Sequence, residues 1–422
     1  MNLNRIQYWT FLLTKFLAGQ GLAQLINLVT GFLILRFLSL EEYAFYLIAN
    51  VLLTIGNIGS DMGLSQALIT FGSQVKDDSY KLGTIFKTAQ KYRRQLYFFM
   101  SILVVVLMPL MTGRHHWSLN YVSLCICIVL LSNWFQQGIN LRGSVLYIHQ
   151  DTKGLTYSSG GGAILRLVMV LAVCPAWPYA INVLIINLLG FGMTNAILNG
   201  KCRPYMQEVV TPSLEQEAVL KKFIRPLIAH NIFYMFQGQI SIFLLSIFGY
   251  VASIAQVGAL SRLGQILSLI LLLNPFFIHP YFARIQDKKT YIEKGLQVIL
   301  FLSFISALVL ISSLAFPQWW LIILGENYKN FTAELPVALV CSLISLFDAV
   351  IFTMRIAQGY TRGQSWTIAV GIGIQILFLA GHGVKDTLDG LIFNSLIAAS
   401  MLIVDAVLFA ILLCKWERCR AA

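Results

Sequence analysis

The chain has 422 residues, 58% of them hydrophobic and 11% charged, with a mean hydropathy of +0.75. A soluble chain of this length would carry roughly a quarter charged residues; that class is excluded, and apolar blocks of about 20 residues describe an all-α polytopic membrane protein. The net charge of +12 would suit nucleic acid if it formed one basic face, but it is spread between apolar blocks and reports topology instead.

The start, MNLNRIQYWTFLLTKF, is not a cleavable signal, because the apolar run continues past Lys15 without a small-residue cleavage site. Residues 3–14 read as a short amphipathic lead-in on the membrane surface. Twelve spans follow, at 16–38, 43–71, 95–112, 117–137, 159–177, 179–198, 224–248, 251–278, 295–316, 334–356, 365–382 and 388–414. Gly160, Gly161 and Gly162 blur the edge of the fifth. The seven cysteines show no CxxC spacing, so neither a disulfide framework nor a metal site is expected.

With the N-terminus placed in the cytoplasm, 24 Lys and Arg fall on the inner side, Arg93 and Arg355 among them. Four fall outside (Arg36, Arg114, Lys329, Lys385), and Arg166 and Arg262 lie within spans. The positive-inside rule therefore puts both termini in the cytoplasm. Trp117, Trp177, Trp319 and Trp320 sit at the outer ends, where indoles anchor at the interface.

Residues 206–223 divide six spans from six. This connector contains TPSLEQEAVLKKF, in which Ser213 and Gln216 have capping-box spacing, and reads as an amphipathic helix on the cytoplasmic surface. The turns LSLEEYAFY and GYVASIAQV occupy equivalent places in the two halves, offset by 211 residues. Two six-helix bundles, 1–205 and 224–422, are thus expected around a pseudo-two-fold axis along the membrane normal.

GQGLAQLINLVTGFLILRFLSLEEYAFY, followed by SDMGLSQALITFG, resembles the opening of polysaccharide flippases of the O-antigen (Wzx) type. These belong to the multidrug/oligosaccharidyl-lipid/polysaccharide exporter superfamily. NPFFIHPYFARIQ, WWLIILGENYKNF and RIAQGYTRGQ extend the resemblance over nearly the whole chain. It implies a bacterial inner-membrane protein that moves undecaprenyl-pyrophosphate-linked oligosaccharides between leaflets by alternating access. It also implies membrane lipids, a glycan polymerase and a chain-length regulator as partners.

Charges inside spans are expensive and mark candidate sites. Arg262 lies about 17 Å below the outer start of its span and Arg166 about 11 Å above an inner start. Either holds a pyrophosphate head or an acidic sugar, or each makes a structural ion pair, for instance Arg262 with Asp348. Asp348 and Asp405 are candidates to carry a coupling proton or sodium ion, as is His230 by titration. Gln20, Gln24, Gln237 and Gln239 line a sugar cavity or join helices, and Arg36 rims the outer gate or snorkels.

Asp61, about 27 Å below the outer start of span 2, lies near the cytoplasmic edge. It is either a further coupling group or, with Ser60, the cap of a short helix beginning at Met62. A drug or cation antiporter of the same superfamily would favour an acidic, aromatic cavity. A membrane glycan-assembly enzyme would need a large outer loop with catalytic carboxylates, whereas the outer loops are short and pair only Glu41 with Glu42, in a short turn. No Walker A, HExxH or GxSxG motif occurs, so no catalytic residues and no cofactor beyond a coupling ion are expected.

Overall fold

The computed structural model describes residues 3–113, 115, 117–207, 211–225, 228–237, 239–271, 278, 281–282, 285–358, 363, 365–414 and 416. Sixteen α-helices and no strand occur among them. Two compact units emerge, 1–247 and 248–422, and each is described by itself.

In the first unit, α1 (Leu3–Phe37) is one helix whose first turns include the expected lead-in. The segment read as span 2 is broken. α2 (Leu40–Asp61) ends at Met62, which adopts a left-handed conformation with φ 41°, and Gly63 follows with φ 91°. The chain resumes as α3 (Leu64–Gly72). Left-handed backbone is easy for glycine and strained for methionine, so Gly63 makes the break possible and Met62 bears its cost. The short helix expected here therefore begins at Leu64 behind Gly63, with no side-chain cap from Ser60 or Asp61.

α4 (Ser79–Thr112) and α5 (Leu119–Ile148) have 34 and 30 residues, far more than spans 95–112 and 117–137 suggested. At 1.5 Å per residue α4 is about 51 Å long, well over the roughly 30 Å of hydrocarbon. Its polar first half looked like a loop because a helix that leaves the lipid needs no apolar composition. α6 (Thr152–Val173) runs straight through Gly160, Gly161 and Gly162. A Cβ at Gly162 would lie 2.9 Å from the Gly190 carbonyl of α7 (Ala180–Cys202). That glycine permits close helix packing and does not end a span.

Starts are set by short polar side chains: Ser39, Asp78, Ser118 and Asp151 each accept an amide N–H from the first turn of α2, α4, α5 and α6. Glu42, read as part of a turn, belongs to the first turn of α2. Its Oε2 accepts from Tyr121 Oη at 2.5 Å and from the Ala180 amide at 2.6 Å, tying α2 to the starts of α5 and α7. Glu42→Ala is expected to lower the detergent melting midpoint by the equivalent of about 1.5–3 kcal/mol, the range for hydrogen bonds to a charged group. An unchanged midpoint would show that the knot is dispensable.

α8 (Leu214–Ile224) is the helix expected in the connector, but Ser213 makes no side-chain cap. Instead the Ser213 amide donates to Thr88 Oγ1 at 3.1 Å. Glu217, not Gln216, fastens the helix to α4. It accepts from the Tyr92 hydroxyl and pairs with Lys91 at 3.1 Å and Lys221 at 3.2 Å. The Tyr92 hydroxyl, then the two lysines, hold its carboxyl down at about 2 against an ordinary 4.5. A carboxyl depressed in the docked state contributes fully above pH 4.5, and that contribution is lost as pH falls towards 2. Protease access to the connector is therefore expected to rise across that interval in the wild type. Glu217→Gln should show high access throughout, and a flat wild-type profile would contradict the clasp.

The segment read as span 7 consists of the end of α8, then α9 (Ile228–Gln237) and α10 (Ile240–Phe248), the last two bent by 54°.

The second unit contains α11 (Val251–Leu271), α12 (Lys288–Ala315), the short α13 (Pro317–Leu324), α14 (Glu334–Ala357), α15 (Trp366–Gly381) and α16 (Thr387–Cys414). Asp287 caps α12 through the Thr290 amide. Tyr291, Phe282, Met354 and Trp416 pack in one core beside the start of α12, with the Tyr291 hydroxyl donating to the Met354 carbonyl at 2.9 Å. Among the described residues, nine helices are long and apolar enough to cross a membrane, or ten if α9 and α10 form one bent span. α15 is apolar but shorter, and α11 is outside that set.

Candidate functional site

Among the described residues, each unit holds a fully buried arginine paired with an aspartate, and neither arginine was recognised in the sequence as buried. In the first unit Arg93 of α4 has a side chain with no exposed surface, and its Nη1 lies 2.6 Å from Asp61 Oδ1. The same nitrogen donates to Ser65 Oγ at 3.2 Å, and Ser65 donates to Asp61 at 2.5 Å. Asn57 Oδ1 accepts from Arg93 Nη2 at 3.5 Å and from Asn140 of α5 at 2.9 Å. The network bridges the break between α2 and α3 from both sides. Asp61 is therefore paired with Arg93 and does not cap α3.

In the second unit Arg355, in the last turn of α14, is also fully buried, and its Nη2 donates to Asp405 Oδ1 of α16 at 2.8 Å. Its guanidinium lies 5.5 Å from the centre of the Phe352 ring. Asp348 stands two helical turns earlier on α14, where its carboxyl lies against Asp405 and near Arg355. Asp348 Oδ1 is buried and accepts no hydrogen bond from the described residues. Among the described residues, two carboxyls are thus gathered beside one guanidinium in the helix interior.

The structure thus brings Asp348 and Asp405 together, and the cations facing Asp348 include Arg355. Both Arg355 and Arg93 therefore leave the expected inner-loop count for the helix interior.

Arg166 lies fourteen residues along α6, about 21 Å from its start, because that helix begins earlier than span 5 did. Its Nη2 donates to Asn27 Oδ1 at 2.6 Å and its Nε to the Gly162 carbonyl at 3.3 Å, with Phe191 beneath it at 5.6 Å. Among the described residues none of its partners is an acid, so its positive charge is hydrogen-bonded but not neutralised.

Arg262 is half-buried on α11. Arg36 and Gln24 are exposed on α1, Gln20 is half-buried there, Gln237 is buried at the end of α9, and Gln239 is half-buried before α10. The His230 side chain lies outside the described residues.

A second polar feature of the first unit was not anticipated. A recess of about 150 Å³ between α4, α5 and α7 is lined by Arg94, Trp134, Gln137, Arg142 and Asn195. Arg94 lies over Trp134 at 5.8 Å, and Arg142 donates to Asn195 at 2.8 Å.

No protein-family model and no curated protein sequence matches the chain. Solved structures do. An inward-facing multidrug-resistance MATE transporter of the MOP superfamily aligns with a TM-score of 0.67 at 15% identity, over 94% of this chain and 95% of that one. A eukaryotic MATE transporter aligns at 0.59 and 13%, over 96% and 98%. The lipid II flippase MurJ, in an inward closed conformation, aligns at 0.59 and 14%, over 94% and 86%. The chain is an all-helical, multi-pass membrane protein with the fold of these transporters.

Proposed function

We propose that the protein is an alternating-access flippase for undecaprenyl-pyrophosphate-linked oligosaccharide repeat units, working in the bacterial inner membrane with both termini in the cytoplasm. Twelve spans form two six-helix bundles, residues 1–205 and 224–422, related by a pseudo-two-fold axis and joined by 206–223. The observation that carries the reading is Arg166, a cation inside the first unit whose partners Asn27 and Gly162 leave its charge unbalanced. A pyrophosphate head is the complementary cargo group, because a guanidinium forks onto phosphate oxygens. Similarity to MurJ across 86% of that chain supports a lipid-linked cargo. Arg262, Arg36 and the glutamines at 24, 237 and 239 are further candidates for sugar or phosphate contacts.

Asp348 and Asp405, with Arg355, are the proposed coupling site for a proton or sodium ion. Its net charge changes with one bound cation, which alternating access needs in a driven exporter. A second reading, a drug or cation antiporter, is favoured by the higher TM-score to the MATE transporter, 0.67 against 0.59.

The test is a deletion strain assayed for the leaflet that holds polyprenyl-pyrophosphate glycans. Complete repeat units are expected to accumulate on the cytoplasmic side, with relief by the wild-type chain. Arg166→Ala and Asp348→Asn, made at wild-type levels, should give little relief. Normal glycolipid turnover in the deletion strain would sink the flippase reading and make drug efflux the next assay.

A further inference from the structure

A cavity of about 840 Å³ opens in the first unit where α8 and α9 meet the break between α2 and α3. Met62, Leu64, Leu96 and Ile224 form its apolar wall. The size falls within the roughly 300–1,000 Å³ of small-molecule and cofactor sites.

Its rim is basic: Lys221, Lys222 and Arg225 all line it, and all three are exposed. Glu217 is already shared by Lys91, Lys221 and Tyr92. Lys222 and Arg225 take part in no ion pair among the described residues. An apolar cavity with unneutralised cations at its mouth matches an amphiphile with a long apolar chain and an anionic head. The setting selects the source. In the proposed topology, on which this choice rests, the connector lies on the cytoplasmic side, where anionic lipids attract Lys and Arg beside spans.

We propose that this cavity binds an anionic phospholipid of the cytoplasmic leaflet, with one acyl chain against Met62, Leu64 and Leu96 and the phosphate at Lys222 and Arg225. The Glu217 clasp forms the site by holding α8 against α4. The lipid then packs on both sides of the Met62–Gly63 break. The site does not depend on the identity of the transported cargo.

The full chain is reconstituted in phosphatidylcholine nanodiscs containing a trace of lipid with a diazirine near the chain end. The probe carries either a phosphatidylglycerol or a phosphatidylcholine head. The anionic probe is expected to label peptides containing Met62–Leu64 and Ile224–Ile228 in preference to the zwitterionic one. Lys222→Glu with Arg225→Glu should lower that labelling about tenfold. Labelling of the exposed α12 face at Phe301 and Phe304 should stay unchanged.

Leu96→Trp, which narrows the apolar wall where the acyl chain would lie, should lower labelling of the same peptides by either probe. If that variant does not fold, the charge reversal at two exposed residues decides alone. Equal labelling by the two heads, or labelling unaffected by the charge reversal, would overturn the proposal. Displacement of the probe by inorganic phosphate would also overturn it, since it would reveal an anion site indifferent to the chain.

Discussion

Arg355→Ala is expected to be the most damaging single substitution in the second unit, at about 3–5 kcal/mol, the usual loss when one partner of a buried pair is removed. The guanidinium has no exposed surface and bridges α14 to Asp405 of α16 at 2.8 Å. Without it, Asp405 and Asp348 face each other in the helix interior with no cation from Arg355 between them. Expression and the detergent melting midpoint should both fall. Arg355→Ala combined with Asp405→Ala should recover a large part of the loss, because removing both members leaves fewer stranded charges. The ion-pair account requires that ordering. A double variant no more stable than Arg355→Ala would mean that packing around Phe352, and not charge, holds the contact. Asp348→Asn should by contrast leave the midpoint near wild type while removing transport, since Asp348 Oδ1 accepts no hydrogen bond from the described residues.

Arg93→Ala should destabilise the first unit by about 2–4 kcal/mol. The value sits below that for Arg355 because Asp61 retains 21% of its side-chain exposure and water takes over part of the lost pairing. The damage should concentrate at the junction of α2 and α3, where Met62 is held in a left-handed conformation with φ 41°. Such strain persists only while its surroundings over-determine it. Hydrogen exchange should therefore accelerate in residues 57–68 and not in α6 or α7. Arg93→Lys keeps the charge but loses the fork that reaches Asp61, Ser65 and Asn57 together, so an intermediate effect is expected. Uniform acceleration across the unit would show that Arg93 supports the whole bundle rather than the junction.

Both arginines expose a limit of reading charge along a chain. Arg93 stands beside Lys91 and Arg94, and Arg355 is followed by Arg362, so each looked like one more inner-side cation. A one-dimensional count treats every such residue as solvated. Burial depends on which way the helix turns, and α4 turns Arg93 inward while Arg94 points out. A signal for the first pair was nevertheless present. Asn57, Asp61 and Ser65 recur every four residues, the spacing of one helical face. A polar stripe of that kind inside an apolar span calls for a polar partner on a neighbouring helix. No comparable stripe surrounds Asp405, and its partner was legible only once α14 and α16 were packed together.

Break points divide in the same way. Gly63 and the run Gly160–Gly162 look alike in sequence, yet the first ends a helix and the second continues one. The difference lies in the neighbours: at Gly162 a Cβ would strike α7, so the glycine serves interhelical packing.

The sequence by itself determined the membrane class and the helical architecture, while the helix starts at Ser39, Asp78, Ser118 and Asp151 emerged only with the structure. Class and architecture follow from transfer energies and from the length of each apolar block, which act within one segment and its lipid or water surroundings. The partners of Asp61 and Asp405, the clasp at Glu217, the break after Asp61 and the lipid-sized cavity were decided only by tertiary structure. Each depends on groups from different helices arriving within about 3 Å of one another, or on the space left between them, and the rotation of each helix about its axis is set by packing against all its neighbours.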